Sequence, residues 1–325
     1  MIALGTPRRG VRSVQIMTKK PMVWMDGVLM EQEKAVVPLM THALHYGSGI
    51  FEGIRIYDTP KGKAVFRLTE HMARFLDSGK VLCMNIPYTV PQLCEAVKDV
   101  VRATVPEADY IRPIAYYGAN AQGKITLNPA VFPLHVAIAC ATMGTYLGVE
   151  SMENGCRVAT SSWKKPSHES TSLTAKICGN YVNSILAKLE SNQRGVEEAL
   201  MLNQNGTVAE GPGENIYIVR KGKIITPPIS AGILEGITKD SILTIAKDLG
   251  IEVVEREITR SEIFICDEFF FSGTAAELTP VRSLDERTIG TGKPGPITKM
   301  LQKAFFEAAR GQNPKYDSWL SYINK

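Results

Sequence analysis

Long apolar runs, cysteine motifs and nucleotide-binding loops are all missing from this 325-residue sequence. No run approaches the roughly 18 uninterrupted apolar residues of a membrane-spanning helix. The six cysteines are scattered without a C-x-x-C pair, and the five histidines form no group at metal-ligand spacing. The phosphate-loop pattern and the dinucleotide-fold glycine fingerprint are also absent. We therefore expect no membrane contact, no metal ion and a reduced, cytoplasmic compartment.

Composition and charge are those of an ordinary globular protein. Hydrophobic residues make up 44% and charged residues 22% of a chain long enough for two α/β domains or one large one. Of the formal net charge of +4, the first 20 residues contribute +5 and the rest −1, so nothing in the folded body indicates a nucleic-acid partner. We interpret residues 1–20 as a disordered basic extension upstream of a second start at Met17, although a transit peptide has the same composition.

The first half of the chain carries short strands and two amphipathic helices. A hairpin is predicted around Asp26 and Gly27, and helices are predicted at residues 70–84 and 91–104. The next alternating segment is a strand that places Tyr110 and Arg112 on one face, which suits a carboxylate. We predict an α/β (α+β) chain with a small domain at residues 21–143, a linker at 144–151 and a larger domain at 152–325.

Lys176 stands among small and apolar residues in the stretch SLTAKICGNY at residues 172–181. Burial disfavours the charged form of a lysine, lowers its pKa and makes the amine a nucleophile for carbonyl compounds. Apolar residues recur every four positions from Ile177 to Leu189, so we place Lys176 in the first turn of a helix that packs this face inward. A lysine that extends its ammonium group into solvent from a helix start fits the same stretch.

Three further features of the second half suit an anionic ligand. Glu210 follows a predicted buried strand and is bracketed by turn residues, so it is either a surface acid or a group that faces a ligand. The sequence GIT at residues 236–238 opens a predicted helix, where N–H groups and a hydroxyl can bind a phosphate. The sequence SGTAA at residues 272–276 is small enough to bring further N–H groups to a ligand.

The order and spacing of these motifs resemble the class IV, fold type IV pyridoxal-phosphate enzymes, and within them the branched-chain amino-acid aminotransferases. The resemblance covers residues 22–323 and implies a small α/β domain and a larger pseudo-barrel α/β domain with the cofactor between them. The family signature comprises Glu210, NIY at 215–217, Thr226 and LEGITK at 234–239. The branched-chain subgroup is matched by HALHYG at 42–47, FEGIR at 51–55, YIRP at 110–113, YLG at 146–148, KICGNY at 176–181 and SGTAAE at 272–277.

The resemblance implies pyridoxal 5'-phosphate as cofactor, with pyridoxamine 5'-phosphate as its aminated form. Lys176 is implied to form the Schiff base and move the proton, Glu210 to keep the ring nitrogen protonated, and Tyr181 to hydrogen-bond the phenolic oxygen. From its helix alone, Arg74 fits a surface salt bridge as well as a phosphate contact. The implied cofactor contacts are Arg74, Lys176, Tyr181, Glu210, Gly236, Ile237, Thr238, Gly273 and Thr274.

The resemblance also implies a pocket that accepts both an aliphatic and an acidic side chain. Aromatic residues are implied to form the aliphatic pocket, Arg112 to bind the distal carboxylate of glutamate, and Tyr46 to be lent by a neighbouring subunit. We therefore expect at least a homodimer, with a hexamer as the larger alternative. The implied substrate contacts are Tyr46, Phe51, Gly53, Tyr110, Arg112, Tyr146, Tyr181, Thr274 and Ala275.

The implied reaction moves the amino group between L-leucine, L-isoleucine or L-valine and 2-oxoglutarate by a ping-pong mechanism. The alternatives of the same fold are a D-amino-acid or (R)-amine aminotransferase and aminodeoxychorismate lyase, and the YIRP and FEGIR motifs argue against them. A non-catalytic vitamin B6 carrier is the alternative of a different class. Two departures from the family concern the substrate preference: Pro212 replaces a small residue, and the loop at 119–128 is longer and more polar than in many relatives.

Overall fold

The computed structural model describes residues 20–324, so the predicted basic extension lies, apart from Lys20, outside the described residues. Within the described part, no helix is long and apolar enough to cross a membrane. The elements form two sheets with helices packed against them, which is the mixed α/β class that the sequence predicts.

The first sheet is antiparallel at every pairing that the structure records. Its spatial order is β17-β5-β4-β6-β7-β1-β2, and β3 pairs with β6. The strands are β1 Met22–Met25, β2 Val28–Glu31, β3 Gly49–Phe51, β4 Ile54–Thr59, β5 Gly62–Phe66, β6 Tyr110–Tyr117, β7 Leu134–Ala141 and β17 Leu320–Tyr322. The accompanying helices are α1 His42–Tyr46, α2 Leu68–Val81 and α3 Val90–Ala103.

Helices α2 and α3 contribute to the hydrophobic cluster of the first sheet. The predicted hairpin is confirmed, with Asp26 in the left-handed region that its turn requires. Thr89 and Gln92 form a capping box that fixes the start of α3. The apolar face of α2 buries Met72 and Phe75 completely, and this fixes the direction in which the polar face of α2 points.

The second sheet is mixed, with order β10-β9-β8-β15-β14-β11-β12-β13 and β16 on β15. Its strands are β8 Cys156–Thr160, β9 Glu198–Leu202, β10 Val208–Glu210, β11 Asn215–Arg220, β12 Lys223–Thr226, β13 Val253–Glu255, β14 Glu268–Gly273, β15 Glu277–Leu284 and β16 Arg287–Thr288. The helices are α4 Val149–Asn154, α5 Tyr181–Gln193, α6 Ile237–Asp248, α7 Arg260–Ile263 and α8 Pro296–Ala309. Short 3-10 helices lie at Gln32–Lys34, Pro129–Val131, Cys178–Asn180, Ile229–Ala231 and Pro314–Trp319.

Strand β14 is buried on both faces. Phe269 and Phe271 pack into one hydrophobic cluster, while Phe270 packs into another that contains residues of α6 and α8. Side chains alternate across a strand, so three consecutive phenylalanines fill both faces. The strand is therefore a firm base for the loop that follows Gly273.

Two details of the second half differ from prediction. Lys176 precedes a 3-10 turn, and α5 begins only at Tyr181, so the placement of Lys176 in the first helical turn is wrong. Ile185 and Leu189 are 55% and 52% exposed, so the predicted inward packing of this face is also wrong. The buried positions of α5 are the small residues Ser184, Ala187 and Ser191.

The predicted domain boundaries at residues 144–151 stay a prediction. Part of that segment is helical, since α4 begins at Val149. The last strand, β17, pairs with β5 of the first sheet, so the end of the chain returns to the first half.

A stability prediction follows from the start of α8. The buried carboxylate of Glu268 accepts hydrogen bonds from the N–H groups of Ile297 and Thr298 at 3.0 and 2.7 Å. We expect Glu268→Ala to lower the free energy of unfolding by roughly 2–3 kcal/mol, because two backbone donors in the first helical turn lose their acceptor. Chemical denaturation followed by circular dichroism measures this loss. Lys303→Ala, on the exposed face of the same helix, is the control; equal losses in both variants would refute the capping role.

Candidate active site

A cavity of about 660 Å³, open to solvent, lies where α2, β10 and the starts of α5 and α6 meet the end of β14. It brings together residues far apart in sequence and from both halves of the chain. All nine residues predicted to contact a cofactor line this cavity: Arg74, Lys176, Tyr181, Glu210, Gly236, Ile237, Thr238, Gly273 and Thr274.

The backbone of Lys176 is held by the first half of the chain. Its N–H donates to Ser78 Oγ of α2 and its carbonyl accepts from the Phe51 N–H, each at 3.0 Å. The neighbours Ala175 and Ile177 are buried in the hydrophobic cluster of the first sheet. In an extended segment, residues on either side of a position point away from it. The Lys176 side chain is therefore directed into the cavity.

The amine of Lys176 contacts a phenol. Its Nζ lies 2.6 Å from the Tyr181 hydroxyl and 5.0 Å from the centre of the Phe51 ring. Burial, with a smaller contribution from the Arg74 guanidinium, lowers the pKa of Lys176 to about 8. Burial also raises the pKa of Tyr181, so this hydroxyl stays protonated. A partly neutral amine beside a hydrogen-bond donor suits reaction with a carbonyl compound.

Glu210 is a buried carboxylate that lines the same cavity. It forms an ion pair with Lys165, with Nζ 2.7 Å from Oε1, and its Oε2 accepts from the Leu234 N–H at 3.0 Å. The Asn215 amide adds a longer contact of 3.3 Å to Oε2. Glu210 is therefore not an exposed turn acid, and its role toward a ligand stays a prediction.

Arg74 is held in a buried ion-pair network. Its Nε and Nη2 donate to the two oxygens of Glu52 at 2.6 and 2.9 Å, and its Nη1 donates to the Glu235 carbonyl at 2.6 Å. His71 Nδ1 lies 2.7 Å from the same Glu52 carboxylate. Burial alone would raise the pKa of Glu52, but Arg74 and His71 together hold it well below its usual range. Arg74 is thus a fixed cation rather than a surface salt bridge.

The start of α6 supplies N–H groups next to Arg74. Gly236 is the N-cap residue, and a Cβ there would lie 1.9 Å from Asn215 Oδ1, so only glycine fits. The N–H groups of Ile237 and Thr238 fall in the first turn, where a helix offers no internal acceptor. Together with the guanidinium, they form an end of the cavity that suits a phosphate.

A second cavity of about 600 Å³ adjoins the first and shares Lys176, Tyr181 and Thr274 with it. Its Arg112 stacks 4.7 Å from the centre of the Phe51 ring and donates weakly to the Tyr110 hydroxyl at 3.4 Å. Among residues 20–324, Arg112 forms no ion pair with a carboxylate. The predicted substrate residues that line this cavity are Phe51, Gly53, Tyr110, Arg112, Tyr146, Tyr181, Thr274 and Ala275.

Tyr46 is the predicted substrate residue that the structure places elsewhere. It is 43% exposed and lines a separate crevice with Lys124 and Ile125 of the 119–128 loop. Within the described chain it lines neither of the two adjoining cavities. A role at a substrate site thus requires a second copy of the chain.

Arg55 joins the first sheet to the loop after β14. Its Nε donates to the Thr274 carbonyl at 3.2 Å, and its Nη2 donates to the Ala275 carbonyl at 2.8 Å. The same buried guanidinium contacts Asp109 at 3.2 Å and the Gly144 carbonyl at 2.7 Å. Arg55 therefore fixes the loop that both cavities share.

Sequence reasoning missed the residues that pair with the predicted ones. Lys165 stands in a polar loop beside Lys164, and only the fold places it against Glu210. Glu52 lies within the FEGIR motif, but its partnership with Arg74 spans 22 residues. The signal that could have been used is the burial of Glu52 between apolar neighbours, which requires a cation.

The polar groups that line the first cavity suit a phosphorylated aromatic aldehyde with a ring nitrogen. An amine and a phenol stand at one side, a buried carboxylate at another, and a guanidinium with helix N–H groups at a third. Among the described residues, no group of histidine, cysteine and acidic side chains is arranged to hold a metal ion.

Comparison with known proteins places the chain in a family of aminotransferases. The family described as Amino-transferase class IV matches residues 49–284. The branched-chain-amino-acid aminotransferase of Pseudomonas aeruginosa is 44% identical over 93% of this chain and 97% of its own length. The crystal structure of the Escherichia coli branched-chain amino acid aminotransferase is 41% identical with a TM-score of 0.90, covering 94% of this chain and 100% of that one. The T.th. branched-chain amino acid aminotransferase complexed with N-(5'-phosphopyridoxyl)-L-glutamate is 44% identical with a TM-score of 0.87, with the same coverage.

The lowered pKa of Lys176 gives a testable pH dependence. The amine is neutral above its pKa, so its labelling by trinitrobenzenesulfonate should rise through about pH 8 in the ligand-free protein. Lys61 is the internal control, because its hydrogen bond to Asp317 raises its pKa above the ordinary lysine value. Peptide mass spectrometry follows both labels. A Lys176 midpoint equal to or above that of Lys61 would contradict the assignment.

Proposed function

The chain belongs to the Amino-transferase class IV family, and we propose that it transfers the amino group of L-leucine, L-isoleucine or L-valine to 2-oxoglutarate. The observation that carries this proposal is the second cavity, which is lined by aromatic side chains, by Lys176 and by Arg112, an arginine without a carboxylate partner among the described residues. One pocket can thereby hold an aliphatic side chain or a second carboxylate. The relatives are named branched-chain amino acid aminotransferases, and the structure of one contains N-(5'-phosphopyridoxyl)-L-glutamate.

The first cavity fits pyridoxal 5'-phosphate as the cofactor. Arg74, Ile237, Thr238 and Thr274 would hold the phosphate, and Gly236 and Gly273 give the backbone room to approach it. Tyr181 would donate to the phenolic oxygen and Glu210 would face the ring nitrogen. When bound, the cofactor supplies an electron-withdrawing ring that accepts the electron pair left by the substrate's α-proton.

Lys176 is the group that we assign to proton transfer. Its Nζ is the amine at the junction of the two cavities, and a pKa of about 8 allows it to take a proton and to return it near neutral pH. The hydrogen bond to Tyr181 fixes the amine at one position. Phe51 and Tyr146 line the second cavity, where their rings would cover the substrate side of the amine.

Substrate carboxylates have two places to bind. The loop at residues 273–275, fixed by Arg55, would offer N–H groups of Thr274 and Ala275 to the α-carboxylate. Arg112 would bind the distal carboxylate of 2-oxoglutarate or glutamate by a charge-assisted contact. For an aliphatic substrate, the rings of Phe51 and Tyr110 offer the complementary surface.

A coupled assay tests the proposed function. Purified protein supplied with pyridoxal 5'-phosphate should convert L-leucine and 2-oxoglutarate to L-glutamate, whereas D-alanine should give no product above background. Lys176→Ala should abolish turnover, and Lys164→Ala, which removes an exposed neighbour, should leave it within about twofold. Turnover of D-alanine without turnover of L-leucine would assign the chain to another activity of the same fold.

We also propose that the chain works as a homodimer, which we place in the cytoplasm. Helix α1 and the 119–128 loop lie side by side, since His42 Nε2 contacts the Thr126 carbonyl at 3.0 Å. Large apolar residues on this face are exposed, which is unusual for a monomer surface. A second copy would cover them and bring Tyr46 to the neighbouring substrate cavity. They are Val36, Val37, Leu39, Met40, Leu44, Tyr46, Ile125, Leu127 and Val131.

Charge on this face should break the dimer. Leu39 and Ile125 are 78% and 70% exposed, so Leu39→Glu with Ile125→Glu should not disturb the core of one chain. We expect the double variant to sediment as a monomer and to lose activity by at least about tenfold, because the Tyr46 contribution is lost. Leu249→Glu, an exposed apolar position on another helix end, is the control. A fully active monomer would refute the proposal.

A further inference from the structure

Glu214 is a buried acid at the wall between the two cavities. It is 3% exposed, and it lines both the cofactor cavity and the substrate cavity. Its Oε2 accepts from the Gly213 N–H at 3.0 Å. No lysine, arginine or histidine within residues 20–324 forms an ion pair with it. The proposed transfer reaction gives it no part.

The neighbour of Glu214 is a second buried acid. Glu198 is completely buried at the start of β9, and its carboxyl is in hydrogen-bonding contact with that of Glu214. Lys188 of α5 pairs with Glu198, with Nζ 2.9 Å from Oε2. Two carboxylates in contact cannot both be ionised in a buried site, so one of them carries a proton.

The proton belongs on Glu214. Glu198 has the cation and also accepts from the Ala199 N–H at 2.9 Å, which stabilises its charged form. Glu214 has one backbone donor and, among the described residues, no cation. Burial, and then the charge of Glu198, raise the pKa of Glu214 well above its usual range. The Glu214 hydroxyl thus donates to the Glu198 carboxylate.

The surroundings of this pair hold charges of both signs. From the packed elements, Lys188, Glu210, Tyr146 and Cys156 face it. Across the cavities stand Lys165, Lys176 and Arg112. Lys165 is neutralised by Glu210 and Lys188 by Glu198. An ionised Glu214 would therefore add a negative charge to the wall of the substrate cavity, where it would offset the unpaired cations Lys176 and Arg112 that face a substrate carboxylate.

We propose that Glu214 is a specificity-determining residue: it holds a proton shared with Glu198 and so keeps the wall between the cavities neutral, which allows a substrate with a second carboxylate to bind. This inference rests on the proposed function for its substrates. A dicarboxylate places more negative charge in the cavity than a monocarboxylate, so it is the substrate more strongly repelled when Glu214 is charged. The neutral form of Glu214 is thus required for Arg112 to bind the distal carboxylate of 2-oxoglutarate.

Infrared difference spectroscopy of the holoenzyme at neutral pH tests the shared proton. The wild type should show the C=O stretching band of a protonated carboxyl that Glu214→Gln lacks. Glu197→Gln, which changes the adjacent acid paired with Arg157 outside both cavities, should keep the band. A wild type without the band, or a Glu214→Gln variant that retains it, overturns the proposal. This measurement needs no turnover, so it separates a failure here from a failure of the proposed function.

A double-mutant cycle tests the effect on specificity. The measured quantity is the KM for 2-oxoglutarate divided by the KM for 4-methyl-2-oxopentanoate, in which effects on Lys176 cancel. In Glu198→Gln, the charge of Lys188 loses its carboxylate partner and favours the ionised form of Glu214, so Glu214 ionises and the ratio should rise about tenfold. Glu214→Gln alone should stay within about twofold of the wild type, and the double variant should return to that value.

Two results would overturn the specificity role. One is a Glu198→Gln variant with an unchanged ratio, and the other is a double variant that keeps the raised ratio. A pair that serves only the stability of the fold would change both KM values alike and leave the ratio constant. Thermal denaturation and the cofactor absorbance show whether each variant is folded. If Glu198→Gln does not fold, the infrared comparison of the wild type with Glu214→Gln still decides the shared proton.

Discussion

The site depends on the two backbone hydrogen bonds that hold Lys176 against the first half of the chain. They join its N–H to Ser78 and its carbonyl to Phe51, while Ala175 and Ile177 are buried on the opposite side. A helical lysine would have its backbone groups satisfied within the helix and would turn with it. An extended lysine anchored by a different part of the chain has its amine fixed relative to both sheets. The hydrogen bond from Nζ to Tyr181 is a consequence of that anchoring.

Two of the cationic side chains that line the cavities form ion pairs with buried acids, and two do not. Arg74 is paired with Glu52 and Lys165 with Glu210, so these cations and acids bring little net charge into a region of low dielectric. Lys176 and Arg112 have no carboxylate partner among the described residues. Burial, and then the charge of Arg74, lower the pKa of Lys176. Lys176 and Arg112 are the side chains that the proposed reaction needs, one as a base and the other as a carboxylate receptor.

Local patterns in the sequence predicted the parts of the site that are built from consecutive residues. Asp26 and Gly27 indicated a hairpin, and the order glycine, isoleucine, threonine at 236–238 predicted a helix start with available N–H groups. Lys165 could not be predicted in this way, because its contact with Glu210 joins a polar loop to a strand 45 residues later. The 3-10 turn after Lys176 was also not predicted, because apolar residues continue at helical spacing across it.

Helix α5 shows why apolar spacing gave the wrong face. Ala187 packs with Ala199 and Met201 of β9, and small residues at Ser184 and Ser191 complete the buried side. A larger side chain there would hold the helix axis further from the sheet. The close approach places Tyr181, in the first turn, within 2.6 Å of the Lys176 amine, and Lys188 at the Glu198 carboxylate. The large apolar residues of α5 are consequently exposed to solvent. The face of α5 that the hydrophobic pattern predicted to be buried is therefore the face that points away from the core.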